Sequence, residues 1–217
     1  MQALLDNLDR LWSGFLTTLG MSVAAAVIAT ILGTILAAFR VSPLPPLRAL
    51  GATYVQLVRN TPLTAVFFIV IFGLPAVDVT FQNFFIAAIV ALSVYTAAFV
   101  CEVVRSGINS VSTGQAEAAR AIGLTFGQSL RDVVLPQAFR SVVPPLGNLW
   151  IALVKNSAIA GGGFAVADIA QLAPSLARDN PAQVLAIFGG IALAYMVITV
   201  PSGIAVGVIE RRTAILR

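Results

Sequence analysis

Long runs without a single charge restrict this chain more than any other feature. None of the 29 residues from Leu11 to Phe39 is charged, nor any of the 23 from Val79 to Cys101 or the 28 from Ala182 to Ile209. A helix crossing the hydrocarbon layer needs about 20 mostly apolar residues, because lipid offers no partner to an unpaired backbone amide. Thr61 to Val77 adds a shorter run of 17, with Arg59 placed to snorkel toward the interface. Ser141 to Val154, extended by residues 136–139 before it and 155–167 after it, supplies a fifth stretch that only Lys155 interrupts. The expected fold is an all-α membrane protein of five transmembrane helices, at about 11–39, 61–77, 81–101, 137–156 and 182–209. A short outer helix near 166–177 precedes the last span, and the whole of 1–217 forms one domain. The first run is too long, and lacks the basic leader and cleavage site, to be a removable signal peptide.

Composition agrees: 59% of the residues are hydrophobic and 10% charged, against about a quarter charged in soluble domains. The small surplus of +4 speaks to membrane orientation and not to nucleic acid. With the N-terminus outside, Arg40, Arg48, Arg59, Arg105, Arg120, Arg131, Arg140, Arg211, Arg212 and Arg217 fall inside. Only Arg10 and Arg178 fall outside. That asymmetry predicts an outer N-terminus and a cytoplasmic C-terminus. Asp6, Asp9, Asp78, Asp168 and Asp179 fall on the outer side, and Glu102, Glu117, Asp132 and Glu210 on the inner side.

Several chemistries are removed at once. The chain has no histidine, which takes away imidazole acid–base work, most transition-metal sites and the histidine-dependent triads. Its one cysteine, Cys101, lies in an apolar run and reads as a small buried hydrophobe. Lys155 is the only lysine and is followed by asparagine, so no phosphate-binding Gly-Lys-Ser/Thr loop exists. No metal site is expected, and any ATP is bound elsewhere.

Most of the polar inventory lies in the inner segment from Glu102 to Arg140, longer than a bland connection requires. Ser112 and Gln115, and again Thr125 and Gln128, stand at capping-box spacing. They predict two short helices, one over about 113–124 with Gly123 near its left-handed end, the other from near Phe126 to before Pro136. On the first, Ala118, Ala119 and Ile122 form a small apolar stripe beside Glu117 and Arg120.

These residues resemble a known pattern. Glu117-Ala118-Ala119, then Gly123, then Val133-Val134-Leu135-Pro136 is similar to the EAA loop of ABC importer permeases, with Val133 a conservative departure. Val58-Arg59-Asn60-Thr61-Pro62-Leu63, the stretch from Tyr95 through Glu102 to Ile108, and Gly114-Gln115 resemble the polar amino-acid importer subfamily. Leu153-Val154-Lys155-Asn156-Ser157 resembles that subfamily's Lys-Asp-Thr-Ser stretch, with Asn156 and Ser157 at its Asp and Thr positions. The resemblance covers roughly residues 10–212. It implies a type I ABC importer permease fold in the bacterial cell membrane, with a coupling segment over 102–136. Glu117, Ala118, Ala119, Gly123, Leu135 and Pro136 would couple to a cytoplasmic ATPase. It further implies two ATP-binding cassette subunits carrying ATP and Mg, an extracytoplasmic amino-acid-binding protein and a second permease, identical or homologous. This chain would bind no cofactor of its own.

The expected path runs past Asn60, Thr61, Tyr95, Leu149, Lys155, Asn156 and Ser157. Asn60 and Thr61 either line it or cap the entry to the second span; Tyr95 lies mid-span, where its ring packs in the core. Lys155 either meets a cargo carboxylate or snorkels to the outer interface. Asn156 replaces a carboxylate with a neutral amide, which favours an acidic cargo, glutamate or aspartate, over arginine or histidine. Pro62, Pro75, Pro144-Pro145 and Gly161-Gly162-Gly163 point either to a discontinuous region or to plain kinking that helps the helices pack. Glu102 and Arg105, at i and i+3, form a structural pair. The alternatives are a secondary transporter of a small polar solute, which Lys155 alone equips poorly, and an intramembrane enzyme using Ser157 with Lys155, whose i,i+2 spacing sets them apart.

Overall fold

A computed structural model describes residues 2–213; Arg217, one of the arginines counted inside, lies outside that range. Among the described residues all regular structure is helical. A short α1 (Gln2–Leu5) precedes α2 (Leu8–Val41), and α3 (Pro45–Arg59) leads to α4 (Leu63–Phe68), which widens into a π turn at Ile69–Gly73 and ends in a 3-10 turn at Pro75–Val77. The long α5 (Phe84–Asn109) is followed by α6 (Thr113–Ala121), a single turn α7 (Phe126–Gln128), a π segment (Ser129–Val134) and α8 (Leu135–Asn156). Then come α9 (Ala158–Phe164), α10 (Ile169–Asp179) and α11 (Val184–Thr213). Three helical stretches, Leu8–Val41, Phe84–Asn109 and Pro181–Arg212, are long and apolar enough to cross a membrane, and two bent pairs raise the number to five if each is one span.

Helix α5 is the axis of the bundle: 56% of its most apolar window is buried within the chain, against 17% for the last span. Small residues let α2 and α5 approach, with Ala25, Ala29 and Ala37 facing Ala88, Ala91, Ala97 and Ala98, all fully buried. At Gly33 a Cβ would sit 2.6 Å from Val100 Cβ, so this crossing needs a glycine. Close backbone approach of this kind stands in for the hydrophobic drive that lipid cannot provide. Phe67 stacks on Phe164 at 5.1 Å and Phe68 meets the same ring edge-on, tying α4 to α9. Leu193, Val197, Val200 and Ile204 of α11 stay exposed, as a face turned to lipid or another subunit does.

The structure corrects several expectations. Residues 45–59, assigned to an inner connection, form α3, with Pro45 and Pro46 in its first turn, where their missing N–H groups cost nothing. It bends by 105° into the 63–77 stretch. The helix of the third span continues to Asn109, well past Cys101, so the first part of the 102–136 stretch is helical and continuous with that span. The helix beginning at Phe126 does not stop before Pro136. An α-helical ladder would need the proline N–H and would press its ring on the carbonyl four residues back, but the π turn over Ser129–Val134 widens the ladder there. Pro144 and Pro145 are likewise carried inside α8 without a break. The chain interrupts itself instead at Ser157 and across residues 165–168, with a 44° bend between the stretches ending at Phe164 and starting at Ile169.

Candidate coupling segment and translocation path

Helix α6 ends at Ala121, a turn earlier than expected, and the ending is built by Gly123. Its φ is +92°, its N–H donates to the Arg120 carbonyl at 3.0 Å, and the Leu124 N–H reaches the Ala119 carbonyl at 3.1 Å. This pair of bonds closes a Schellman motif, which satisfies carbonyls the helix end would leave bare. Thr125 and Gln128 make the reciprocal capping box. The Gln128 N–H donates to Thr125 Oγ1 at 3.4 Å and the Thr125 N–H to Gln128 Oε1 at 2.9 Å. The box at Ser112 does not form: its side chain caps nothing, and the Gln115 N–H takes the Ser112 carbonyl.

The expected apolar stripe is divided. Ala119 is buried toward the π segment, whereas Glu117 and Ala118 are exposed and Ile122 is 80% exposed. Ala118 and Ile122, at i and i+4, therefore leave a small apolar face beside the Glu117 carboxylate that none of the described residues covers. Leu135 and Pro136 are also exposed, at the start of α8.

Glu102 does more than pair with Arg105. Arg105 Nη2 donates to Glu102 Oε2 at 2.9 Å, Arg40 Nη1 donates to Oε1, and Arg59 Nη1 stands 3.4 Å from Oε1. One carboxylate thus ties the ends of α2, α3 and α5 together, through Arg40 and Arg59, neither of which the sequence pattern paired with Glu102. Both are brought in by tertiary packing; the flanking position of Arg59 before a span was the available signal. Arg59 also lies 5.4 Å from the Phe99 ring centroid, within cation–π range.

The path candidates separate. Asn60 and Thr61 cap the end of α3, not the start of a span: their side chains donate to the Gln56 and Leu57 carbonyls at 2.8 Å each. That role exists because α3 is a helix. Tyr95 is half-buried and rests on Phe99 at 5.1 Å. Leu149 packs, half-buried, on the Val100–Val142–Leu146 cluster. Lys155 is exposed and has no ion-pair partner among the described residues. Ser157 is buried and donates to the Val154 carbonyl at 2.7 Å, so it and Lys155 point apart. Asn156 is half-buried at the end of α8.

Asp168, counted among the carboxylates of the outer side, is fully buried in the turn before α10. Its carboxylate accepts the Gln171 N–H at 3.0 Å as an N-cap and the Tyr195 hydroxyl at 3.3 Å. The neighbouring Ile169 N–H donates to Thr18 Oγ1 at 3.2 Å. Burial pushes this carboxyl up to about 6, against the lowering pull of those hydrogen bonds. A Cβ at Gly161 would fall on Asp168 Oδ1, which gives one of the three clustered glycines a steric reason. N-capping propensity was the signal for Asp168; its burial was not legible.

Comparison with known proteins adds a family. Residues 29–215 match the model of the binding-protein-dependent transport system inner membrane component. The chain is 41% identical to the probable glutamine ABC transporter permease protein GlnM of Bacillus subtilis, over 96% of this chain and 95% of that one. It is 38% identical to the glutamate transport system permease protein GluC of Corynebacterium glutamicum, over 93% and 92%. With the glutamate/aspartate import permease protein GltJ of Escherichia coli it shares 37%, over 94% and 87%. The crystal structure of an amino acid ABC transporter with histidines superposes with a TM-score of 0.90 at 29% identity, over 97% of both chains.

Proposed function

From the premise that the chain belongs to the family of inner membrane components of binding-protein-dependent transport systems, we propose that it is the permease subunit of an ATP-driven importer of glutamate or aspartate. That it serves an amino-acid ABC importer follows from the family and from relatives that match nearly its whole length. The acidic cargo is the finer reading. It is supported by the neutral Asn156 beside the unpaired Lys155, and by two relatives named for glutamate or for glutamate and aspartate. Glutamine, the side-chain amide of glutamate, is the second reading, favoured by the relative at 41% identity.

The observation that carries the coupling role is α6. It is closed by the Schellman turn at Gly123 and leaves Glu117, Ala118 and Ile122 uncovered. A capped helix with an apolar face and a charged margin seats in a groove and transmits a rigid push from an ATPase. Leu135 and Pro136 then link that push to α8, since the helix runs on from the π segment without a break. The chain acts as one permease domain, beside a second permease, two ATPases and an extracytoplasmic binding protein. The N-terminus lies outside and the arginine-rich ends of the spans lie in the cytoplasm. Lys155 and Asn156, with Tyr95 and Leu149 deeper, line the way through.

Uptake by proteoliposomes holding the complete transporter tests the reading. Labelled glutamate should enter in an ATP-dependent, vanadate-sensitive manner, with aspartate competing and arginine not. Uptake of arginine in preference to glutamate would overturn the acidic cargo, and uptake without the ATPase would overturn the importer.

A further inference from the structure

Three guanidinium groups, of Arg40, Arg59 and Arg105, surround the single carboxylate of Glu102. Among the described residues no other carboxylate pairs with them, so two positive charges are left uncancelled. Arg40 is mostly buried, but Arg59 and Arg105 both line a cleft of about 430 Å³ between the ends of α5 and α8, together with the hydroxyls of Ser106, Ser110 and Ser141. That volume is within the range of small-molecule sites. Ser110 and Ser141 close one side of the cleft, their oxygens 3.1 Å apart and their hydroxyls donated to the Gly107 and Ala138 carbonyls. The two helices meet closely there, since a Cβ at Gly107 would collide with Val142. Surplus guanidinium charge lining a cleft between packed helices is the composition of an oxyanion receptor, since planar N–H pairs match a carboxylate or phosphate.

We propose that this cleft is an oxyanion subsite that takes the α-carboxylate of the transported amino acid as it leaves the spans. The inference deepens the importer reading and rests on it. Continuity favours the cargo over a lipid headgroup. Tyr95, Phe99, Glu102 and Ser106 are spaced by four, three and four residues along one face of α5, and the rings of Tyr95 and Phe99 lead from mid-span to the Arg59 guanidinium. A group common to all amino acids also suits an exit shared by cargoes that differ in side chain. Glu102 acts as the resident competitor, occupying the guanidinium groups until a cargo carboxylate shares them.

The test is equilibrium binding of labelled glutamate and glutamine to the purified, nucleotide-free complex of permease and ATPase. Arg59→Gln and Arg105→Gln should each weaken binding about tenfold, as expected for losing a charge-assisted hydrogen bond. Arg59→Lys, which keeps the charge but not the planar fork and guards against a variant that does not assemble, should weaken binding less than Arg59→Gln does. Glu102→Gln removes the competing carboxylate and should bind the probes at least as tightly as the wild type. Weakening by Glu102→Gln equal to that of the arginine variants would mark a structural knot and overturn the proposal. So would displacement of the probe by glutaminamide as readily as by glutamine, or by inorganic phosphate or phosphatidylglycerol nanodiscs as readily as by glutamate. A wild-type complex that binds neither probe at millimolar concentration would also overturn it. Failure of the wild-type transporter to take up any amino acid would sink the importer reading itself, whereas normal uptake with unchanged variant affinities would sink only the subsite.

Discussion

Replacing Gly123 by alanine perturbs the coupling segment at one point and nothing else. No atom lies within 4 Å of where a Cβ would stand, so packing makes no contribution. The whole cost is conformational: at φ +92° an L side chain meets its own backbone, at about 1 to 2 kcal/mol. A penalty of that size lowers the population of the closed Schellman turn about 5- to 30-fold relative to its open forms. The face bearing Glu117, Ala118 and Ile122 would then be presented less often to the ATPase. ATP hydrolysis stimulated by the loaded binding protein, measured on the reconstituted transporter, should fall several-fold, while the melting temperature of the bundle in detergent stays unchanged. Gly123→Asn, which tolerates left-handed backbone better, should lose less. Gly114→Ala is the control of opposite sign: Gly114 lies inside α6 with open space around it, and alanine there stabilises the helix by about 0.5 to 1 kcal/mol. Stimulation unchanged in Gly123→Ala, or reduced equally in Gly114→Ala, would refute the claim that this turn sets the coupling geometry.

Other outcomes follow from the same geometry. Glu117→Lys should abolish transport and ATPase stimulation while the protein still inserts, because the residue is exposed; normal uptake would remove Glu117 from the coupling role. Glu102→Ala leaves three guanidinium groups without their shared partner and should destabilise by about 1 to 2 kcal/mol, less than a fully buried pair because Arg59 and Arg105 reach solvent, read as a lower melting temperature of the solubilised permease. Gly161→Ala drives a methyl group into Asp168 and should cost about 3 kcal/mol, at the upper end for overpacking, by the same assay. Asp168 also gives a pH dependence. Its folded value of about 6 is above the unfolded value of about 3.9, so the native state holds the extra proton. Its contribution is therefore most favourable below pH 4 and is lost as pH rises through 6. Asp168→Asn should flatten the stability profile between those limits, and an unchanged profile would place the dependence elsewhere.

Local patterns carried the parts of this protein that depend on near neighbours in the chain. Uncharged run length announced the spans, since hydrocarbon penalises every bare amide and charge, and it placed their centres better than their ends. The Thr125–Gln128 box and the turn at Gly123 were legible because three- and four-residue spacings decide caps. The same reasoning missed α3, where no uncharged run exceeds the ten residues between Arg48 and Arg59, and it ended the helix from Phe126 before Pro136 when a π turn carries the helix through. What no spacing expresses is which distant groups meet. Glu102 collects Arg40 and Arg59 because the α2–α5 crossing, made possible by Gly33, and the 105° bend after α3 bring three helix ends to one place. Asp168 is buried rather than solvated because α10 folds back onto α2 and α11, where Thr18 and Tyr195 are waiting with hydroxyls. Membrane insertion and local capping are short-range energies summed along the chain. The charged knot, the cleft beside it and the buried carboxylate arise from packing between segments far apart in sequence, and exist only once the helices have crossed.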